Sequence, residues 1–340
     1  MPSSTSRSRP PRGVAIGLLA AACFALLVSA AYTRWWNPEI RLYCHAVRVK
    51  QQWAAELDRR FTNKTIICGG SSTSFAVDPA RMLDRNGIAV ANYGLHAGMQ
   101  PWFLVAFAAA AARPGDLLLV ALEPELLLST DAGSDLAAQM AFALDHPRWA
   151  QASDVTGEPV HWVENLVSLR PGAYHCFTLL GKLALGRPLY RYRPSDFSPA
   201  GWQRTAERRP VSEPGRWSGE LSPGAARLLQ SLDAWGRQQG VRVGYLLPWR
   251  YAGEEHARPF QFDNLAFLEQ VARYLPVLAD ERLGAYGVRA QFADTPFHLT
   301  SEGAAIRSDE LADDLLAGRF WSVSDLGRLR AGWSRDYLSD

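Results

Sequence analysis

Between Arg113-Pro114-Gly115 and Pro124 the chain carries Asp116-Leu117-Leu118-Leu119-Val120-Ala121-Leu122, which is apolar throughout after its first residue. A strand with no polar side chain on either face must be covered on both, and the usual solution is the interior of a parallel sheet with helices above and below. Thr65-Ile66-Ile67-Cys68, stopped by Gly69-Gly70, is a second short run of this kind. Ile88 to Ala91, Val241 to Leu247 and Gly287 to Phe292 read as further strands. Helical patterns separate them. Ile40 to Arg60 has Trp53 and Leu57 four apart, and Pro101 to Ala112 is Ala-rich and ends at Arg113-Pro114-Gly115. Ser222 can cap a helix with Pro223 in its first turn, Leu228, Leu229, Leu232 and Trp235 as its buried stripe, and Gly240 as its stop. A last helix is predicted from Ser301 to about Leu316, with Gly318 just beyond. Strands alternating with helices of this length predict an α/β fold built on a doubly wound, mainly parallel sheet.

Two stretches break the rhythm. Residues from about 129 to 220 are rich in Trp, Pro, Arg and Tyr and poor in periodicity. We expect an insertion there, lying over the carboxyl edge of the sheet, where ligands of α/β folds bind. Residues 321–340 read as a short polar tail around Trp321 and Trp333.

The N-terminus belongs to a different solvent. Residues 1–12 carry Arg7, Arg9 and Arg12 and no acid, and the run from Gly13 to Tyr32 has no charge. At ~1.5 Å per residue this run spans ~30 Å, the thickness of a bilayer core. We expect a cytoplasmic tail (1–12), a transmembrane signal anchor (13–35), a juxtamembrane helix (36–61) and a globular domain (62–320) on the far side of the membrane, periplasmic or at the cell surface. Arg34, Trp35 and Trp36 suit the membrane interface. The rival reading is a cleaved signal peptide with Val28-Ser29-Ala30 as its small-residue site, which exports the same domain. A lipoprotein site at Cys23 fits less well, because Ala20 stands where a large aliphatic residue is needed.

The formal net charge of +2, with arginines interleaved among acids, gives no sign of a nucleic-acid partner. No Cys-x-x-Cys or Cys/His metal spacing is present, and no metal or cofactor is expected. Cys68 reads as a small buried hydrophobe, while Cys44 and Cys176 could pair in an oxidising compartment.

Two segments carry residues suited to chemistry. Gly69-Gly70-Ser71-Ser72-Thr73-Ser74-Phe75 follows a strand directly, so a serine there sits at the top of the sheet with backbone N–H groups behind it for an oxyanion. It lacks the Gly-Lys-Ser/Thr ending of a nucleotide-binding loop. Near the C-terminus, Asp294 and His298 are close enough for a carboxylate to orient an imidazole base.

Together these segments resemble the SGNH (GDSL) hydrolase superfamily, across roughly residues 62–128 and 236–318. Gly70-Ser71-Ser72 is similar to the family's Gly-Ser-Ser motif, which implies Ser72 as nucleophile, His298 as base and Asp294 as its orienter. The resemblance also implies a flavodoxin-like three-layer sandwich. Asn92-Tyr93-Gly94-Leu95-His96-Ala97-Gly98 looks like the second block and implies the Ser72 and Gly98 amides as oxyanion donors, with Asn92 a weaker candidate. The family's third block normally offers an Asn side chain; here the stretch is Leu122-Glu123-Pro124-Glu125, with Glu125 in the Asn's place. An ionised carboxylate cannot donate. Asp294 and His298 have three residues between them where the family usually has two.

With the signal anchor, the pattern looks closest to membrane-anchored SGNH-like acyltransferases of cell-envelope polysaccharide O-acetylation. That implies acetyl transfer through a seryl ester to a polysaccharide acceptor, with a multispanning membrane-bound O-acyltransferase as donor partner. The alternatives are an O-acetylesterase with the same triad and a non-catalytic scaffold or carbohydrate-binding subunit. His96, Tyr190 and Arg191 are candidate substrate contacts, the last two from the cluster Tyr190-Arg191-Tyr192-Arg193. His146 reads as structural.

Overall fold

The computed structural model describes residues 12–128, 134–170, 173–204, 219–253 and 256–337. The basic residues Arg7 and Arg9, the end of the C-terminal tail and parts of the 129–220 stretch lie outside the described residues.

The described residues form eight strands: β1 Thr65–Gly69, β2 Val90–Gly94, β3 Leu117–Ala121, β4 Arg242–Leu246, β5 Arg250–Tyr251, β6 Val277–Leu278, β7 Ala285–Tyr286 and β8 Phe320–Trp321. Six of them form one sheet in the order β2-β1-β3-β4-β6-β8. All neighbours in it are parallel except β6 and β8. β5 and β7 form a small parallel pair of their own.

Alternate residues of the central strands enter two separate cores. Ile66, Cys68, Leu118 and Val120 face one, whereas Ile67, Leu117, Leu119 and Ala121 face the other. This is the burial on both faces that the uninterrupted apolar runs require. Counting outward from β1, the chain goes one way to β2 and the other way to β3, so the order reverses between β1 and β3. The crevice at the carboxyl ends of those two strands is where α/β sheets of this order bind ligands.

The expected strand at 287–292 does not form. Val288 is exposed, and Arg289–Gln291 make a single helical turn. The fifth parallel position belongs instead to β6, two residues long and fully buried.

Helix α1, Arg12–Ala31, continues through the wide turn Tyr32–Trp36, and Asn37 then caps α2, Pro38–Arg60, accepting from the Glu39 and Ile40 amides. The segment Arg12–Trp36 is long and apolar enough to cross a membrane, with a mean hydropathy of 2.5 in its most apolar window. α2 lays Ile40, Tyr43, Val47, Ala54 and Leu57 on the sheet. Its Lys50 is buried among oxygens: Nζ donates to Asn92 O at 3.0 Å and to Gly201 O at 2.6 Å. The lysine thus ties α2 to β2 and to the far end of the inserted stretch.

That stretch contains α3, Asp135–Ala143, α4, Trp162–Val167, and α5, Ala173–Ala184. Its described end returns across the carboxyl edge of the sheet. The Gln203 amide donates to Ser74 O at 2.9 Å, and Trp202 Nε1 donates to Phe75 O at 3.0 Å. The helix after β3's loop and insertion, α6, Pro223–Gln239, is capped as its sequence predicts, with Ser222 Oγ accepting from Ala225 N at 3.1 Å. The last core helix, α7, Ser301–Ala317, is capped by Thr300 and closed by Gly318 in the left-handed conformation. The four cysteines are unbridged, so Cys44 and Cys176 do not pair.

Candidate functional site at the carboxyl edge of the sheet

β1 ends at Gly69, and a short helix, Ser71–Ala76, begins at once. Both glycines are needed for the fit. A Cβ on Gly69 would stand 2.4 Å from Ala121 O, and one on Gly70 would stand 2.6 Å from each carboxylate oxygen of Glu123. The short helix is held on every side. Thr73 Oγ1 donates to Ala121 O at 3.2 Å, and Ser74 Oγ donates to Gln203 Oε1 at 3.1 Å. Asn92 Nδ2 donates to Thr73 O at 2.9 Å and to Val77 O at 2.8 Å.

Ser72 is the exception. Its side chain is 1% exposed, and Oγ has no hydrogen-bond partner among the described residues. A buried hydroxyl without a partner is costly and rare. No hydrogen bond joins it to His298.

His298 and Asp294 do meet. A short antiparallel bridge between Phe292 and Leu299, with the Ala293 amide donating to His298 O at 2.7 Å, folds residues 293–298 into a tight return. Thr295 Oγ1 accepts from the His298 amide at 3.0 Å and fixes the bend. The four-residue separation therefore brings the side chains together, with His298 Nδ1 and Asp294 Oδ1 2.9 Å apart. Since the carboxylate only accepts, Nδ1 carries the proton and Nε2 is left as the base. The His298 ring packs on Phe75 at 4.3 Å between centroids, one helical turn beyond Ser72.

Asp294 has two further partners. Arg191 Nη1 lies 2.8 Å from Oδ2, and the Tyr192 hydroxyl donates to the same oxygen at 3.4 Å. Burial acts to raise the Asp294 carboxyl, but the His298 hydrogen bond, the imidazole charge and the Arg191 guanidinium together hold it below the usual carboxylate range. Arg191, expected as a substrate contact, is instead placed behind the Asp–His pair. Tyr190 also faces inward, bonded to the Tyr43 hydroxyl at 3.0 Å and to Glu39 at 3.1 Å.

The oxyanion side departs most from expectation. Gly98 does not offer its amide, which donates to His96 Nδ1 at 3.0 Å. Asn92 spends both Nδ2 hydrogens on the short helix, and its Oδ1 accepts from Gly94 N at 2.9 Å, which makes it a brace. Glu125 is not the residue in the Asn's place. It is exposed and lies 3.5 Å from Arg250.

The carboxylate at the site is Glu123, 5% exposed, whose Oε1 accepts from the Ser72 amide at 3.3 Å. Its Oε2 is buried without a formed partner. Burial pushes the Glu123 carboxyl above its usual range, opposed by the nearby Ser72 hydroxyl and by the Ser72 amide. That hydroxyl lies near the carboxylate and favours its ionised form. Glu123 thus occupies the donor that an oxyanion on Ser72 would use.

His96 stands beside this group. Burial pushes it below the usual histidine range, and the charge of His298 adds to the effect. Because Nδ1 accepts from Gly98, its proton sits on Nε2. His146 stacks on Trp149 at 4.1 Å and is structural, as its sequence context suggests.

No protein-family model, curated protein or solved structure matches the chain.

Proposed function

We propose that this chain is a serine-dependent acyl-transfer enzyme of the SGNH type, carried on a membrane helix and acting outside the cytoplasm on an exported polysaccharide. The observation that carries the reading is the Ser72 hydroxyl: buried, without a partner, at the sheet's switch point, and beside an Asp294–His298 pair with its tautomer set.

In this reading His298 Nε2 takes the Ser72 proton as Oγ attacks the acyl carbonyl. Asp294 stabilises the imidazolium that forms. His298 then returns the proton to the leaving oxygen as the C–O bond to the donor breaks, leaving an acyl ester on Ser72. A polysaccharide hydroxyl attacks that ester by the same steps in reverse, and His298 reprotonates Ser72. With water as the acceptor, the same residues give an O-acetylesterase. A multispanning membrane-bound O-acyltransferase is the donor partner such chemistry would call for.

Glu123 sets a condition on this mechanism. Ionised, it repels an oxyanion and holds the Ser72 amide; neutral, it releases the amide more readily and offers a proton on Oε2. The neutral acid is the competent form. The same residue is the observation that favours a second reading, a non-catalytic polysaccharide-binding subunit, in which the carboxylate permanently fills the oxyanion position.

The two readings separate in cells and in vitro. Acetate release from an activated ester and acetylation of the envelope polymer should both collapse in Ser72→Ala and in His298→Ala, by several orders of magnitude, with the double variant scarcely worse. Wild-type polymer acetylation by a folded, correctly located Ser72→Ala chain would transfer the case to the binding subunit.

A further inference from the structure

A groove of about 910 Å³ lies where the apolar helix meets the domain. Its walls include Arg34, Arg41, Arg48 and Arg193 and the imidazole of His45, and no acidic residue lines it among the described residues. Arg34 is committed to Asp145, at 2.7 Å. Arg41, Arg48 and Arg193 form no ion pair among the described residues, although the chain has nearly as many acids as bases. Arg41 and Arg48 are seven residues apart on α2, so they lie on one face of it about 10 Å apart, with Arg34 in the turn before the Asn37 cap.

The level of this column relative to a membrane is fixed by its surroundings. Trp35 and Trp36, both exposed, line the groove at the end of the apolar helix. On the same level, the Tyr32 hydroxyl bonds His175 Nε2 at 2.9 Å, and Thr33 Oγ1 donates to Leu169 O at 3.2 Å. Those bonds tie α4 and α5 to the base of the apolar helix. The two helices expose Trp162, Val163, Phe177, Leu180 and Leu183, an apolar surface that water does not favour and a bilayer interface does. At its other end the groove reaches Tyr192, whose hydroxyl donates to Asp294.

We infer that this groove is a binding site for the phosphate headgroup of an anionic lipid, entered from the membrane surface past Trp35 and Trp36. Arginine matches a phosphate in two-pronged fashion, and aromatic side chains at the headgroup level hold the glycerol and upper acyl region. The lipid is preferred over free phosphate because the mouth opens at the membrane-facing tryptophans and because the arginine column begins there. The inference does not depend on acyl chemistry at Ser72.

The test uses the full chain in neutral detergent, titrated with a short-chain phosphatidylglycerol and followed by thermophoresis. Wild type and Ser72→Ala should bind it equally. The triple variant Arg41→Gln/Arg48→Gln/Arg193→Gln should bind about 100-fold more weakly, each arginine near an anionic lipid being worth close to a factor of five. Arg59→Gln, on the same α2 helix but outside the groove, should bind as wild type. Phosphatidylcholine of the same chain length should bind far more weakly, and inorganic phosphate should compete only at much higher concentration. Equal binding by a folded triple variant, or by phosphatidylcholine, overturns the site. Competition by inorganic phosphate at equal concentration overturns the lipid as its ligand.

Discussion

Replacing Glu123 by glutamine tests the most unusual group in the site. Its Oε1 and an acyl oxyanion would share one donor, the Ser72 amide, at 3.3 Å from the former. Two negative charges competing for one N–H lie within ~4 Å of each other, and at an effective dielectric of ~20 they repel by ~4 kcal/mol. That is worth about a factor of 10³ in rate. Glutamine is close to isosteric, keeps an oxygen for the Ser72 amide, and places an NH₂ where Oε2 now has no partner. A preorganised donor of this kind contributes about 10²–10³ in kcat.

The sign with pH follows from the upward displacement of Glu123 by burial. Its competent, neutral form is complete at low pH and is lost as pH rises through its titration. Wild-type kcat/KM should therefore fall on the alkaline side, while Glu123→Gln stays level there and exceeds wild type by about 10²–10³. The stability sign is the same. A carboxyl whose folded pKa lies above its unfolded value stabilises fully below the ordinary glutamate range and loses that contribution as pH rises through the folded value. The melting temperature of the variant should gain on wild type with increasing pH. The assay is ester hydrolysis from acid to alkaline pH, with calorimetry beside it. Parallel pH–rate profiles for the two chains, or an inactive but folded Glu123→Gln, would refute the argument.

Other perturbations follow from the same contacts. Asp294→Asn keeps the shape but reverses the proton preference of His298 Nδ1, and should cost up to about 10⁴ in kcat; loss of the Arg191 ion pair should also lower the melting temperature. Asn92→Ala removes two well-formed bonds to buried carbonyls of the short serine helix, and should destabilise the fold by about 2–4 kcal/mol in denaturant titration.

Much of this architecture is legible in the sequence, for physical reasons that differ by element. The run Leu117 to Leu122 can only be a strand buried on two faces, and Ser222-Pro223 and Gly240 mark a helix by capping chemistry alone. β6 is not legible, because two residues after Pro276 show no period, whereas Gly287 to Phe292 has strand composition but is broken by the helical turn Arg289–Gln291. In the site, Ser72, Asp294 and His298 come from local motifs; Asp294 and His298 meet, and the His298 ring packs on Phe75 of the serine helix. The tight return through Thr295 accommodates the extra residue between Asp294 and His298. The oxyanion side misleads because it depends on which way side chains turn. Asn92 is drawn to two free carbonyls of the helix beside it, and the Gly98 amide is taken by His96. Glu125 and Glu123 are two apart, so a two-residue difference in where β3 ends decides which of them reaches Ser72; the strand stops at Ala121, and Glu123 does. The role of Arg191 behind Asp294 had no sequence signal beyond its place in an aromatic–arginine cluster.

The central claim is that Ser72 becomes a nucleophile when His298 removes its proton. Treating the full chain with an active-site-directed fluorophosphonate and mapping the adduct by peptide mass spectrometry asks this directly. The account predicts one adduct, on Ser72, formed far more slowly in His298→Ala, absent in Ser72→Ala and unaffected by Ser71→Ala. A folded wild-type chain that takes no label, or takes it at Ser71 and not at Ser72, would contradict it.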